Sequence, residues 1–134
     1  MKYPKVLVTG ALGWLGSRLV EIALRGLPEH PLLQAPFPGA QIRCLVLPGQ
    51  DADALRKLSD RIEVITGDLR DADVCRRFCD GAGDAVLFHT AGIIHPRRVR
   101  EFYEINRDGT ARLLDAAIQA RVKRAVVVSS NSPC

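Results

Sequence analysis

Three glycines near the start of the chain have the spacing of a loop that binds a pyrophosphate. Gly10, Gly13 and Gly16 follow the apolar run 6–8 and precede the amphipathic stretch 17–25, in the pattern G-x-x-G-x-x-G. A glycine has no Cβ, so it permits a tight turn, a close approach of the backbone to a ligand, and close packing of a helix on a strand. The helix would direct free N–H groups and the positive end of its dipole at an anion. The alternative is a glycine-rich turn that binds nothing.

An acidic residue follows the third apolar run of the chain. Asp68 lies in the sequence Gly67-Asp68-Leu69, directly after residues 62–66. Its carboxylate could accept a hydrogen bond from an adenine amino group while Leu69 covers the ring. It could equally cap the helix that is predicted to begin near Asp71, because aspartate is a preferred N-cap residue. The sequence leaves both interpretations open.

Small residues follow the fourth apolar run. Ala91 and Gly92 lie in the segment 89–93 and would let the backbone pass close to a cofactor, or would form an ordinary turn. Asn106 and Gly109 fall in the middle of a predicted helix, where a glycine costs about 1 kcal/mol relative to alanine. That cost suggests close packing of this helix against the loop after the fourth strand. Asn106 could then bind the backbone of that loop.

Two serines follow the fifth apolar run. Ser129 and Ser130 end the stretch 124–130. A hydroxyl at this position would lie beside the nicotinamide end of a dinucleotide stretched across the sheet. The alternative is a polar strand terminus without chemistry.

An alternation of strands and helices must position these residues. Apolar runs predict strands at 5–9, 41–46, 62–66, 85–89 and 124–130. Amphipathic stretches predict helices at 14–25, 51–59, 71–80 and 98–120. This alternation indicates an α/β fold, a doubly wound parallel sheet of the Rossmann type with helices on both faces. In such a sheet, ligands bind at the carboxyl edge, where the residues that follow the strands meet.

The apolar pattern also predicts which faces are buried. The first helix carries an apolar stripe that should face the core, made of Leu15, Leu19, Ile22 and Ala23. The last helix carries another, made of Phe102, Ile105, Leu113, Ala116, Ala117 and Ala120. Residues 125–128 are typical of a strand buried on both faces. The segment 27–41 holds four of the eight prolines and is predicted to be a loop at the amino edge, away from the ligand.

The composition is that of one globular domain of 134 residues, with 47% hydrophobic and 25% charged residues. No apolar run reaches the length of a membrane span, so no membrane contact and a cytoplasmic location are expected. The net charge of +4 favours anions such as nucleotides. The basic cluster 97–100 opens a predicted helix, so nucleic acid is not an expected partner. The four cysteines and three histidines lack the spacing of a zinc site, and no metal is implied.

Together the motifs resemble the extended branch of the short-chain dehydrogenase/reductase superfamily. That branch includes the NAD-dependent epimerases and dehydratases of sugar nucleotides and the 3β-hydroxysteroid dehydrogenase-like enzymes. The matching pieces follow the family's order over essentially the whole chain: Thr9-Gly10-x-x-Gly13-x-x-Gly16, Asp68-Leu69, His89-Thr90-Ala91-Gly92, Asn106-x-x-Gly109-Thr110 and Ser129-Ser130. The resemblance implies hydride transfer between NAD, with NADP not excluded, and a secondary alcohol or ketone of a sugar-nucleotide or sterol-like small molecule. It also suggests a homodimer formed through the helix 98–120.

The resemblance assigns a role to each motif residue. The pyrophosphate contacts would come from Gly10, Gly13, Trp14, Leu15 and Gly16. Adenine would be held by Asp68 and Leu69, and the nicotinamide ribose side would be lined by Ala91 and Gly92. The site would be supported by Asn106 and Ser129. Ser130 would be the catalytic serine that hydrogen-bonds a substrate oxygen, or Ser132 if the register slips.

Two departures from the family pattern bear on activity. The acid–base pair Tyr-x-x-x-Lys is missing, because Tyr3 and Tyr103 are followed four residues later by Leu7 and Arg107. We therefore expect residues 1–134 to be the NAD(P)-binding N-terminal part of a larger enzyme, inactive alone, without its later strands and substrate-binding part. An isolated half-sheet would expose its fifth strand as an edge, so marginal folding or self-association is expected.

The second departure concerns the choice of cofactor. Enzymes that prefer NAD usually carry an acid at the end of the second strand, for the ribose 2′-OH. Here the sequence is Leu45-Val46-Leu47-Pro48, and Gln50 and its neighbour 51 are assigned to the next helix. The choice between NAD and NADP stays open. Two other functions also stay open: a regulatory module that binds NAD(P) without turnover, and a structural domain without nucleotide affinity.

Overall fold

The computed structural model describes residues 2–129. One parallel sheet contains the strands β1 (Lys5–Thr9), β2 (Gln41–Val46), β3 (Ile62–Thr66), β4 (Val86–His89) and β5 (Arg124–Val127). The α-helices are α1 (Trp14–Arg25), α2 (Asp53–Leu58), α3 (Ala72–Cys79), α4 (Val99–Glu101) and α5 (Thr110–Gln119). A 3₁₀ turn at Pro31–Leu33 and a π-helical segment at Phe102–Gly109 complete the elements. None of the helices within residues 2–129 combines the length and apolar character needed to cross a membrane.

The strand order is β3-β2-β1-β4-β5, and every neighbouring pair is parallel. From β1 the chain moves outward through β2 and β3, and it then returns to β4 on the other side of β1. The order therefore reverses between β1 and β4, and this switch point opens a crevice at the carboxyl ends of the two strands. The predicted doubly wound parallel sheet is confirmed.

Alternating residues of the sheet bury two apolar layers. Val8 belongs to the layer beneath α1 and α2, which contains Val20 and Leu55. Leu7 points to the opposite face, where it packs in the layer that contains Phe78 and Leu113. Because both faces of β1 are covered, its residues 6–9 are fully buried and hold the following loop on a rigid base.

The predicted ends of the elements agree closely with the structure. The bounds of β1, β2, β3 and α1 are confirmed, and β4 begins one residue later than predicted. α2 and α3 are shorter than predicted by one or two residues at each end, within the usual uncertainty of helix termini. The predicted strand 124–130 is too long, because β5 ends at Val127, before Ser129.

The prediction that residues 125–128 are buried on both faces is wrong. Val126, Val127 and Val128 are between 41% and 49% exposed. Within the described residues, β5 pairs with β4 alone and forms the edge of the sheet, so an apolar run that is typical of a central strand faces solvent. The expected exposed edge is thereby confirmed, while its effect on folding or self-association stays a prediction.

The apolar face of α1 differs from the predicted stripe. Ala23 is buried as predicted, but the other buried residues are Gly16 and Val20, and Leu15 is 37% exposed. Leu19 and Ile22, also predicted to be core, are only half-buried. Close packing of Gly16 on the loop after β1 explains the difference, because it turns this side of the helix toward the sheet.

The predicted helix 98–120 is not one continuous α-helix. It begins as α4, widens into the π-helical segment Phe102–Gly109, and regains α-geometry in α5. Leu113, Ala116 and Ala117 are buried as predicted. Phe102 and Ile105 lie in the π-helical segment and are only half-buried. Wide turns of this kind frequently occur at functional sites.

The proline-rich segment lies at the amino edge of the sheet, as predicted. The N–H of Gln41 donates to the carbonyl oxygen of Pro4 at 3.1 Å, just before β1. Phe37 packs its ring against Tyr3 and Phe88, with ring centroids 6.1 Å apart in both pairs. Most residues of this loop are exposed. It is therefore separated by the length of the strands from the carboxyl edge.

Candidate functional site

The loop after β1 is held together by contacts that only glycine permits. Gly10 has a φ of +68°, and a Cβ there would lie 2.6 Å from Thr90 Oγ1 and 2.8 Å from the backbone nitrogen of Ala91. A Cβ on Gly16 would overlap the carbonyl oxygen of Gly10. The N–H of Gly13 donates to that same oxygen at 3.0 Å. The predicted tight turn and the close packing of helix on strand are confirmed.

The N-terminus of α1 is open to an anion. Gly13 is its N-cap and has no side chain to accept a hydrogen bond, and the first turn carries no acidic residue. Within residues 2–129, the N–H groups of Trp14, Leu15 and Gly16 have no backbone or side-chain acceptor. Three free donors and the positive end of a twelve-residue helix dipole therefore face outward together.

These donors line a cavity of about 410 Å³ at the carboxyl ends of β1, β2, β3 and β4. Nine of the predicted cofactor residues line it: Gly10, Gly13, Trp14, Leu15, Gly16, Asp68, Leu69, Ala91 and Gly92. Trp14 is 91% exposed, so its ring stands at the rim. Asn106 does not line the cavity, and neither does Ser129, which is exposed beyond β5. The predicted catalytic residue Ser130 and its alternative Ser132 lie outside the described residues.

Asp68 forms an ion pair rather than a helix cap. Its carboxylate accepts from the guanidinium of Arg70 at 2.7 and 3.1 Å and from the Arg70 backbone N–H at 2.9 Å. These hydrogen bonds hold the pKa of Asp68 below its usual range. The N-cap of α3 is Asp71, whose side chain accepts from the N–H of Asp73. The interpretation of Asp68 as an N-cap is therefore wrong, and the carboxylate remains an ionised acceptor on the cavity wall.

The loop after β4 is joined to the end of β1 by a buried polar chain. Thr9 Oγ1 lies 2.6 Å from His89 Nδ1 and accepts from the N–H groups of Thr90 and Ala91, both at 3.2 Å. On its other side the His89 ring contacts Thr110 Oγ1 at 2.8 Å, through Nε2. The hydroxyl of Thr90 donates to the carbonyl oxygen of Thr9 at 2.7 Å. The chain fixes the backbone that forms one wall of the cavity.

Asn106 holds the same loop from the other side. Its Oδ1 accepts from the N–H of Ile93, and its Nδ2 donates to the carbonyl oxygen of Ile93, both at 2.9 Å. The prediction that Asn106 binds this loop is confirmed. Gly109 packs elsewhere, because a Cβ there would lie 3.3 Å from the Cβ of Leu69. Its predicted packing against the loop after β4 is therefore wrong, and its contact is with the loop after β3.

Removing the Asn106 side chain should loosen this loop. In Asn106→Ala both hydrogen bonds to Ile93 are lost, and we expect amide hydrogen exchange at Ile93 to accelerate about tenfold, since each such bond contributes roughly 1 kcal/mol. Asn106→Asp is the matched control, because it keeps the acceptor and loses only the donor. Its exchange rate should fall between the other two. Equal rates in all three proteins would contradict the assignment.

Several cavity residues were missed from the sequence. Gln50 lines the cavity, and its Oε1 accepts from the N–H of Leu47 at 3.3 Å. It lies in the turn after β2, so its assignment to the next helix is wrong; α2 begins at Asp53. Arg70 and Ile93 also line the cavity. Position after a strand is the only signal that could have identified them, since none belongs to a recognisable motif.

Comparisons with known proteins agree with this geometry. The model of the NAD-dependent epimerase/dehydratase family matches residues 6–133. The uncharacterized protein y4nL of Sinorhizobium fredii is 49% identical over 130 residues, which cover 97% of this chain and 35% of that protein. The 3 beta-hydroxysteroid dehydrogenase/Delta 5-->4-isomerase of Mycobacterium tuberculosis is 36% identical over 138 residues, 96% of this chain and 32% of that enzyme.

A solved structure extends the likeness to the fold. The Bordetella bronchiseptica enzyme WbmG, crystallised in complex with NAD and UDP, superposes with a TM-score of 0.68 at 25% identity. The match covers 92% of this chain and 36% of the WbmG chain. The chain thus spans about a third of the length of each of these three proteins.

Proposed function

Because the chain belongs to the NAD-dependent epimerase/dehydratase family, we propose that the cavity at the carboxyl edge binds NAD. One observation carries the proposal: the N-terminus of α1 presents three free N–H donors beside glycines that have no room for a Cβ. A diphosphate is a suitable ligand for those donors, because it is anionic and accepts hydrogen bonds from a helix N-terminus. The first turn of α1 carries no acidic residue that would repel it.

The remaining cavity residues fit the two ends of an extended dinucleotide. We assign Asp68 to the adenine amino group, because its ionised carboxylate is an acceptor, and Leu69 to the face of the ring. Ala91 and Gly92 are assigned to the nicotinamide ribose, where small residues leave room for a sugar. Asn106 would act indirectly, through its hydrogen bonds to the loop of Ala91 and Gly92. Ser129 and Ser130 are assigned to the nicotinamide end and to a substrate oxygen, on the family pattern alone.

For the whole protein we propose hydride transfer between a nicotinamide and a secondary alcohol or ketone. Bound NAD would supply the hydride acceptor or donor. The substrate would be a sugar nucleotide or a sterol-like alcohol, since relatives include a hydroxysteroid dehydrogenase and an enzyme crystallised with NAD and UDP. Tyr3 and Tyr103 do not line the cavity. The cavity residues would therefore bind the cofactor without supplying the acid–base group. Proton transfer would require a tyrosine–lysine pair that the sequence 1–134 does not contain.

Titration with NAD⁺ and NADP⁺ tests the cofactor proposal. The only tryptophan, Trp14, stands at the cavity rim, so its fluorescence should change on binding, and calorimetry provides an independent readout. We expect the two dissociation constants to differ by no more than about tenfold, because no acid follows β2 to reject a 2′-phosphate. In Gln50→Asp the new carboxylate should weaken NADP⁺ binding about tenfold or more and leave NAD⁺ binding unchanged.

Gln50→Glu, with its longer side chain, is a second acidic variant that should act in the same direction. A lack of fluorescence change and heat with both dinucleotides at millimolar concentration would overturn the assignment of the cavity. Equal effects of Gln50→Asp on both would instead remove Gln50 from the site while leaving the cavity assignment in place.

A further inference from the structure

The buried chain between Thr9 and Thr110 fixes which nitrogen of His89 carries a proton. Thr9 Oγ1 accepts from two backbone amides, those of Thr90 and Ala91. A hydroxyl oxygen that accepts from two donors has only its own hydrogen left to give. That hydrogen points to His89 Nδ1, 2.6 Å away, so Nδ1 is an acceptor and carries no proton. The ring proton must then be on Nε2, which donates to Thr110 Oγ1 at 2.8 Å.

This arrangement cannot accommodate a second proton on the ring. A proton on Nδ1 would make His89 a donor toward Thr9 Oγ1, which already accepts from two amides. At least one of those amides would lose its acceptor, although Thr9 is fully buried and water cannot readily replace it. The Thr90–Ala91 backbone would therefore have to move away from Thr9. That backbone is the wall of the cavity beside Gly10.

We propose that His89 is a positioning residue for the cofactor: as the neutral Nε2–H tautomer it keeps the Thr9 hydroxyl turned away from Thr90 and Ala91, so that their amides are fixed, and protonation releases them. The effect on NAD rests on the proposed function. The tautomer and the hold on the two amides do not. His89 touches no cofactor atom on this proposal and acts only through Thr9.

Within residues 2–129, the side chains that contact the His89 ring carry no charge that would favour its protonation. β1 and α5 contribute the hydroxyls of Thr9 and Thr110, and the β5 residue paired with His89 is Val127. Among the charged residues of the helix packed beside it, Arg107 and Asp108 pair with each other and Arg112 is exposed. Burial lowers the pKa of His89 below its ordinary value of 6.5.

The lowered pKa of His89 determines how the stability of the fold depends on pH. The unfolded chain takes up a proton at His89 near pH 6.5, whereas the folded chain does so only at lower pH. The contribution of neutral His89 to the free energy of unfolding is therefore fully present above pH 6.5. It is lost as the pH falls toward the folded-state pKa. The hold on Thr90 and Ala91 should weaken over the same acidic range.

Nuclear magnetic resonance of the ¹⁵N-labelled chain without ligand tests the proposal directly. At pH 7.5 the imidazole nitrogen shifts should show His89 with a bare Nδ1 and a protonated Nε2. The protection of the Thr90 and Ala91 amides against exchange should fall about tenfold between pH 7.5 and pH 5. His89→Asn supplies the control, because its side-chain oxygen can accept from Thr9 but does not titrate. Its protection should be independent of pH.

A second pair of variants isolates the Thr9 hydroxyl. Thr9→Val should lower the protection of both amides about tenfold and weaken NAD⁺ binding, whereas Thr9→Ser should restore both because it keeps the hydroxyl. In the wild type, the dissociation constant for NAD⁺ should rise as the pH falls from 7.5 toward the folded-state pKa of His89, and in His89→Asn it should stay flat.

The outcomes separate the two proposals. A protonated Nδ1 at pH 7.5, or parallel pH profiles of amide protection in the wild type and His89→Asn, would overturn the role of His89. If the tautomer and protection behave as expected but NAD⁺ does not bind at any pH, the cofactor proposal fails and the loop mechanism stands. If NAD⁺ binds with the same pH profile in both proteins, His89 does not position the cofactor.

Discussion

Gly13→Asp is expected to weaken NAD⁺ binding at least 100-fold while leaving the fold at least as stable as before. Gly13 has a φ of −74° and a ψ of 168°, an extended conformation that any residue adopts. Aspartate is a favoured N-cap, so it should accept from the free N–H groups of the first turn and stabilise α1 by up to about 1 kcal/mol. Its charge would then occupy the place assigned to the diphosphate. Two negative charges about 4 Å apart at a protein surface repel by about 4 kcal/mol.

Gly13→Asn is the matched control for charge. It has the same size and capping ability, and its Cβ makes the same contact, 3.2 Å from the carbonyl oxygen of Gly10. We expect it to weaken NAD⁺ binding by much less than aspartate does, since it only blocks the amides. Calorimetric titration gives the affinities, and urea unfolding gives the stabilities. Equal affinities in Gly13→Asp and the wild type would contradict the assignment of the diphosphate to the N-terminus of α1.

Gly16→Ala is expected to cost at least about 3 kcal/mol of the free energy of unfolding. The new methyl group would overlap the carbonyl oxygen of Gly10, a backbone atom that cannot rotate away. α1 would have to move off the loop after β1, and the packing of Val20 and Ala23 beneath it would open. NAD⁺ binding should disappear with it, because the helix N-terminus leaves the cavity.

Gly83→Ala is the control, because a Cβ at this glycine would not clash with any neighbouring atom. The nearest atom to a Cβ at this position is the carbonyl oxygen of Ala120, at 3.8 Å. We expect its free energy of unfolding to change by no more than about 0.5 kcal/mol. Urea denaturation of the three proteins, followed by circular dichroism, makes the comparison. Should Gly16→Ala unfold at the same urea concentration as Gly83→Ala, the close packing of α1 on Gly10 is not a source of stability.

The sequence pattern predicted what depends on neighbours along the chain. The glycine spacing identified Gly10 and Gly16, because a tight turn and a helix packed on it impose local requirements. The parallel sheet and its carboxyl edge followed from the alternation of elements, and nine predicted cofactor residues line the cavity there. Asn106 was also placed correctly, since a polar amide in a helix needs a partner.

What escaped prediction depends on contacts that composition and spacing do not specify, whether they are local or join distant segments. The Asp68–Arg70 pair was missed because either aspartate at 68 or 71 suits an N-cap, and the structure selects the second. The valines 126–128 have the composition of a central strand, and composition alone cannot reveal that β5 is an edge strand among residues 2–129. The contact of Gly109 with Leu69 could be predicted only from the position of the π-helical segment relative to the loop after β3.

The proline-rich loop at the amino edge offers a point of attachment on the side of the sheet opposite the cavity. Gly39 has open space around its Cα, with no atom within 4 Å of a built Cβ. Lengthening a surface loop costs little, about 0.6 kcal/mol for each doubling. An affinity tag or surface anchor inserted there would hold an immobilised molecule by one edge and leave the opposite edge facing the solution.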